Sequence, residues 1–135
     1  MLSLSGRFSI FACTTPVDFR KQHDGLVALA RERLGSDPFD GSIFVFFNRR
    51  RDRIKILVWD GNGFWLLYKR LESGTFERLR SSDAERLALS RAELSMLLDG
   101  IELGKGKKRQ HFTDVYRIHG RAGEHEEPED RRATR

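Results

Sequence analysis

The chain has 135 residues but one cysteine, three prolines, two tyrosines and two tryptophans. A lone Cys13 excludes an internal disulfide framework and cannot supply a cysteine-based zinc cluster; it fits a small buried apolar residue in a reducing, cytoplasmic setting. No apolar run approaches the ~18–20 residues a membrane helix needs, so no membrane partner is expected. The opening "MLSLSGRFSIFAC" lacks a basic segment ahead of its short apolar run and reads as a first strand, not a signal peptide. No internal repeat is visible.

Recognisable chemistry is also scarce. "GIELGKGKK" fails as a phosphate loop: too few residues separate Gly100 from Gly104-Lys105, and Gly106 stands where Ser or Thr should bind magnesium. His23, His111, His119 and His125 form no H-E-x-x-H or similar zinc pattern. Asp18, Asp24, Asp37, Asp40, Asp60 and Asp83 are numerous, and a two-metal nuclease would need several such carboxylates to converge. Most of them occupy turn or cap positions, which accounts for them without a metal. No serine or cysteine has a nucleophile context. The expectation is a non-enzymatic protein without cofactor or metal.

What remains is a body with an ionic surface. Apolar residues make up 39%, charged residues 33%, the formal charge is +5 and the pI about 9.8. This length suits one domain with one core. After Gly104, nine Lys and Arg stand against six Asp and Glu, and the apolar pattern stops. Residues 1–104 are therefore read as the folded domain and residues 105–135 as a charged, disordered tail, with "FTDVYRI" the one stretch suited to docking or a short strand.

Within the domain, Arg7–Cys13 is rich in strand formers. Leu26, Val27, Leu29, Ala30 and Leu34 have helical spacing, with Asp24 as candidate N-cap and Gly35 beyond the C-terminus. Three apolar runs follow at Ile43–Phe47, Ile54–Trp59 and Phe64–Leu71, joined by "NRRRDR" and "DGNG", and they read as an antiparallel meander. A further strand is expected near Phe76–Leu79. "SRAELSMLLDG" reads as a helix whose capping box is Ser90 with Glu93 and which Gly100 closes. The predicted class is α+β: an antiparallel sheet of about four to five strands with two helices packed on one face.

Side chains alternate across a strand, so the hairpin can be sorted into faces. A turn at Asn62-Gly63 pairs Trp59 with Leu66, and one at Gly61-Asn62 pairs Trp59 with Phe64. Either register puts Arg53, Lys55, Leu57, Trp59, Phe64, Leu66, Tyr68 and Arg70 on one face. Ile54, Ile56, Val58, Trp65, Leu67, Lys69 and Leu71 take the other, which reads as core with Lys69 at its rim. The first face mixes cations with aromatics, an arrangement that grips phosphates and stacks bases. It also fits cations at a solvated rim with Trp59 and Phe64 packed under helices. Arg49-Arg50-Arg51 suits groove or phosphate contact and equally a solvated turn.

Several short motifs together resemble one family. They are Pro16-Val17-Asp18 with Arg20-Lys21, Asp24-Gly25-Leu26, Asp37-Pro38-Phe39, Phe44-Val45-Phe46 before Asn48-Arg49-Arg50, Asp52-Arg53-Ile54-Lys55, Trp59-Asp60-Gly61 and Tyr68-Lys69-Arg70-Leu71. Over residues 7–104 the chain resembles the TnpB accessory proteins of bacterial insertion sequences of the IS66 type, which are unrelated to the RNA-guided nucleases of the same name. His23, where an apolar residue is more usual, and the tail depart from the pattern. The resemblance implies a role in DNA transposition beside a separate transposase, and it transfers no catalytic residue. The expected partners are element-end DNA and the transposase of the same element. Arg49, Arg50, Arg51, Arg53, Lys55, Lys69 and Arg70 would contact phosphates, and Trp59 and Tyr68 would add stacking. The rival expectation is an adaptor that recruits or regulates the transposase without touching DNA.

Overall fold

The computed structural model describes residues 8–79 and 85–100. Its elements run β1 (Ile10–Cys13), α1 (His23–Glu32), β2 (Ile43–Phe47), β3 (Arg53–Trp59), β4 (Phe64–Arg70), β5 (Arg86–Leu89) and α2 (Arg91–Asp99). They form one five-stranded sheet in the order β4-β3-β2-β1-β5. The expected α+β class holds, as does the antiparallel meander of β2, β3 and β4.

Two features differ from the sequence reading. The sheet is mixed, because β1 runs parallel to β2, with Ile10 opposite Ile43 and Ala12 opposite Val45. A parallel pair needs a long crossover, and the stretch holding α1 supplies it. The helices also lie on opposite faces rather than together. Central β2, "IFVFF", is buried along its whole length and serves two cores at once. Ile43, Val45 and Phe47 join Ile10, Ala12, Ile54, Ile56 and Val58 under Leu97 of α2. Phe44 and Phe46 join Cys13, Val17 and Leu57 under Leu26, Leu29 and Ala30 of α1. A strand apolar at every position has two faces to bury, and one layer of helices cannot cover both.

The ends of the helices follow local chemistry. Ser90 and Glu93 form the reciprocal capping box of α2, and Gly100 ends it in the left-handed conformation at φ 84°. Helix α1 begins earlier than expected: Gln22 is its N-cap, without a side-chain bond, and Asp24 sits in the first turn. There its carboxylate favours the positive end of the helix dipole. The expected strand at Phe76–Leu79 is absent; Phe76 and Leu79 are instead buried anchors of the α2-side core. The fifth strand is "RLAL" at Arg86–Leu89, paired antiparallel with β1. The expected tail lies outside the described residues.

The β3–β4 hairpin has Trp59 opposite Phe64, with the amide of Asp60 donating to the Gly63 carbonyl at 3.0 Å. This is the Gly61-Asn62 turn, and Gly61 at φ 110° takes a conformation that side chains rarely allow. Arg53 through Arg70 then sort onto the two faces as parity requires, but Trp65 and Leu67, on the face read as core, are exposed because the edge strand extends past what α2 covers.

Candidate nucleic-acid interface

The β2–β3 loop is built from its own polar side chains. The Asn48 side-chain amide donates to Asp52 at 2.7 Å, and its oxygen accepts from the Arg53 amide at 3.0 Å. The Arg51 amide closes a turn onto the Asn48 carbonyl. The Asn48 bond, with help from nearby Arg50 and Arg53, holds the Asp52 carboxyl below its ordinary pKa, so the loop keeps its anion near neutral pH.

The three loop arginines then part company. Arg49 and Arg50 are exposed. Arg51 is buried, 6% accessible, and adopts φ 59°. Its guanidinium lies 4.4 Å from the centroid of the Phe47 ring and donates to the Glu77 carbonyl at 2.6 Å. Its own carbonyl accepts from Phe76. Burial and neighbouring Arg78 pull its pKa down from the arginine value. The left-handed backbone costs a non-glycine residue roughly 1–2 kcal/mol, which these contacts offset. Arg51 was expected to touch phosphate; its charge faces the interior instead, tying the loop to the segment that carries Phe76.

Lys55 requires the same correction. It is fully buried on the α1 side of the sheet. Its ammonium donates to the carbonyls of Phe19 and Lys21, at 2.9 and 2.7 Å, and lies 5.0 Å from the ring centroids of both Phe19 and Tyr68. Burial lowers its pKa, and the charge of Asp18 opposes that shift. A buried ammonium needs acceptors in place of water, and these two carbonyls supply them. In the structure Lys55 holds the stretch after Pro16 onto the sheet.

Lys69 faces the other side, where its ammonium donates to the Leu98 carbonyl near the end of α2. A cation at a helix C-terminus is favourably placed. Trp59 shares a face with Tyr68 but lies six residues along β3 from Arg53, about 20 Å away. It packs with Phe39 and Phe64, at centroid distances of 5.0 Å each. Trp59 therefore belongs to an aromatic cluster at the far end of the hairpin from the arginine loop.

The cations that reach the surface sit together at the near end. Arg53 donates to the Tyr68 hydroxyl at 3.3 Å. Tyr68 is 52% exposed and meets Phe19 edge-on. Arg70, directly across from Arg53, is exposed and pairs with Glu72 at 2.9 Å. The Lys55 clasp brings in two residues that the hairpin analysis left out. Arg20 and Lys21 are exposed on the stretch that Lys55 holds against Tyr68. Arg20 pairs with Asp18, whose pKa falls to about 2, first through the Arg20 side chain and then through its backbone amide. The motif "PVDFRK" carried this signal, but only the fold shows which strand it lies against.

Among the described residues, no three His, Cys, Asp or Glu come together as a metal site, and no helix is long and apolar enough to cross a membrane. The sequence pattern of the family described as IS66 Orf2 like protein matches residues 8–108. The chain is 40% identical over 109 residues to the uncharacterized protein y4jC of Sinorhizobium fredii, covering 81% of this chain and 92% of that one. It is 34% identical over 102 residues to the uncharacterized protein y4hO of the same organism, covering 76% and 88%. No solved structure matches. The family is one of insertion-sequence accessory proteins and not a known enzyme family. With its pattern spanning nearly all the described residues, the chain belongs to the IS66 Orf2-like family, which associates it with transposition in an accessory role.

Proposed function

We propose that this protein assists transposition by contacting the DNA of the element ends through the arginine loop and the adjoining basic and aromatic face of the sheet. The loop tip, Arg49 and Arg50, supplies phosphate contacts together with Arg53 and Arg70, and Arg20 and Lys21 widen the same basic surface. Tyr68 contributes an exposed ring. The observation that supports this reading most is the division of labour in the loop. Arg51 and the Asn48–Asp52 bond fix its root, so two guanidinium groups are presented to solvent on a rigid base. Pre-ordering lowers the entropy lost when long cations bind a phosphate chain. Lys55 and Arg51 support this surface from within, while Lys69 lies on the opposite face of the sheet.

A salt titration of full-length protein on element-end duplex tests the reading. Expected is an affinity that falls steeply with salt, with a slope reduced by about 2 in the Arg49→Ala/Arg50→Ala variant. An affinity insensitive to both salt and that variant would sink it.

A second reading has its own support. Trp65 and Leu67 of β4 are 40% and 43% exposed, a larger apolar display than a purely DNA-facing protein needs. In that reading the protein is an adaptor for the transposase. Capture of the transposase in the presence of nuclease, without duplex binding by the protein alone, would favour it.

A further inference from the structure

The two edges of the sheet are unlike. β5 has four residues and carries exposed Arg86 at one end. β4 has seven residues, no proline or glycine, and an unbroken register with β3. Among the described residues β3 is its only neighbour in the sheet. Long, regular, apolar edges are templates for further pairing, and native proteins usually shorten, bulge or charge them.

The direction of the free hydrogen-bonding groups can be worked out. The Leu71 amide donates to the Asp52 carbonyl, and the Asp60 amide to the Gly63 carbonyl. In an antiparallel ladder these bonded positions recur at every second residue. Odd-numbered residues of β4 thus turn their amides and carbonyls toward β3, and Phe64, Leu66, Tyr68 and Arg70 turn theirs outward. Any antiparallel partner must set its own outward-facing positions against these four.

The strand is complementary to itself under that condition. A two-fold axis through Leu67 puts Leu66 opposite Tyr68 and Phe64 opposite Arg70, all outward-facing positions. It also puts Trp65 opposite Lys69, and Leu67 opposite Leu67. Each cation then stands opposite an aromatic residue, no like charges are paired, and the apolar residues fill the centre. Moving the axis to Leu66 or Tyr68 leaves part of the strand unpaired and separates Lys69 from Trp65. We propose that a second copy of this chain pairs antiparallel along β4, about the axis at Leu67, with about eight main-chain hydrogen bonds joining the two sheets into one. This goes beyond the DNA-contact reading and does not depend on it.

The test uses full-length protein. Sedimentation across a concentration series should show a monomer–dimer equilibrium. Leu67→Lys, which sets two ammonium groups against each other on the axis, should abolish the dimer. Leu67→Cys should form a disulfide-linked dimer under mild oxidation, because the axis brings the two positions face to face. Trp65→Cys should link to a Lys69→Cys partner but not to itself, and the buried native Cys13 should not link at all. Position 67 is half exposed, so neither change there removes core packing. A monomer at every concentration overturns the proposal, whatever else then takes the edge. So does a dimer that survives Leu67→Lys while Leu67→Cys fails to cross-link.

Discussion

Arg49 and Arg50 at the tip of the β2–β3 loop are held out in solvent, while Arg51 and Lys55, a few residues on, are buried. The same side-chain chemistry does two jobs within one short stretch. Outside, a cation costs nothing to keep and is available to a ligand. Inside, it must be repaid contact by contact, with carbonyls and ring faces taking the place of water. The difference shows that charge density along a sequence does not measure charge density on a surface. The stretch from Asn48 to Lys55 holds five cations, and two of them are structural.

That contrast can be broken most forcefully at Lys55. Lys55→Met keeps the stem but leaves the carbonyls of Phe19 and Lys21 without their donor. Denaturant unfolding should show a loss of about 3 kcal/mol. If Lys55 served DNA instead, duplex affinity would fall and stability would not. Arg51→Ala comes next, with an expected loss of about 2 kcal/mol from the missing bond to Glu77 and the retained backbone strain. Arg51→Gly removes the strain as well as the contacts and should lose about 1 kcal/mol less. Equal losses for the two variants would show that φ 59° carries no cost. Arg49→Ala/Arg50→Ala should leave unfolding free energy within about 0.5 kcal/mol of the parent, so any change in its duplex binding reports contact and not folding.

The smallest effect sharpens the comparison from the acidic side. Asp18 is exposed, yet its carboxyl is held at about 2 by Arg20. A depressed carboxyl stabilises the fold at pH above its unfolded value, near 3.8, and that contribution disappears as pH falls through about 2. Acid unfolding of Asp18→Asn should therefore lack a small component of the parent's pH dependence between those values. Titration of the Asp18 carboxyl by NMR near its ordinary value would refute the pairing.

How far the sequence could be read follows from the same physics. Strand parity depends only on backbone geometry, so the two faces of the β3–β4 hairpin were sorted correctly, including Lys69 on the side away from Tyr68. The capping box at Ser90 was legible because its chemistry is local. What covers each face was not. Lys55 lies in an alternating strand, where lysine usually marks the wet side, and nothing nearby in sequence announces the carbonyls of Phe19 and Lys21 that enclose it. The parallel pairing of β1 with β2 depends on a contact across the whole α1 crossover, and hairpin signals are silent about it. "RLAL" was missed as a strand because it is short and opens on a charge, and its partner β1 lies more than seventy residues away. The basic surface was half legible: Arg53 and Arg70 share a face by parity, but Arg20 and Lys21 join them only through the Lys55 clasp.

The locked root of the arginine loop bears on how such a protein can diverge. Three adjacent arginines invite the view that they are spares for one another, yet substitutions at the first two change what the molecule displays, and a substitution at the third changes whether it holds its shape. The tip of this loop can therefore be substituted one residue at a time without disturbing the contacts that hold the fold. The root stays under a separate constraint, set by Phe47, Glu77 and Phe76.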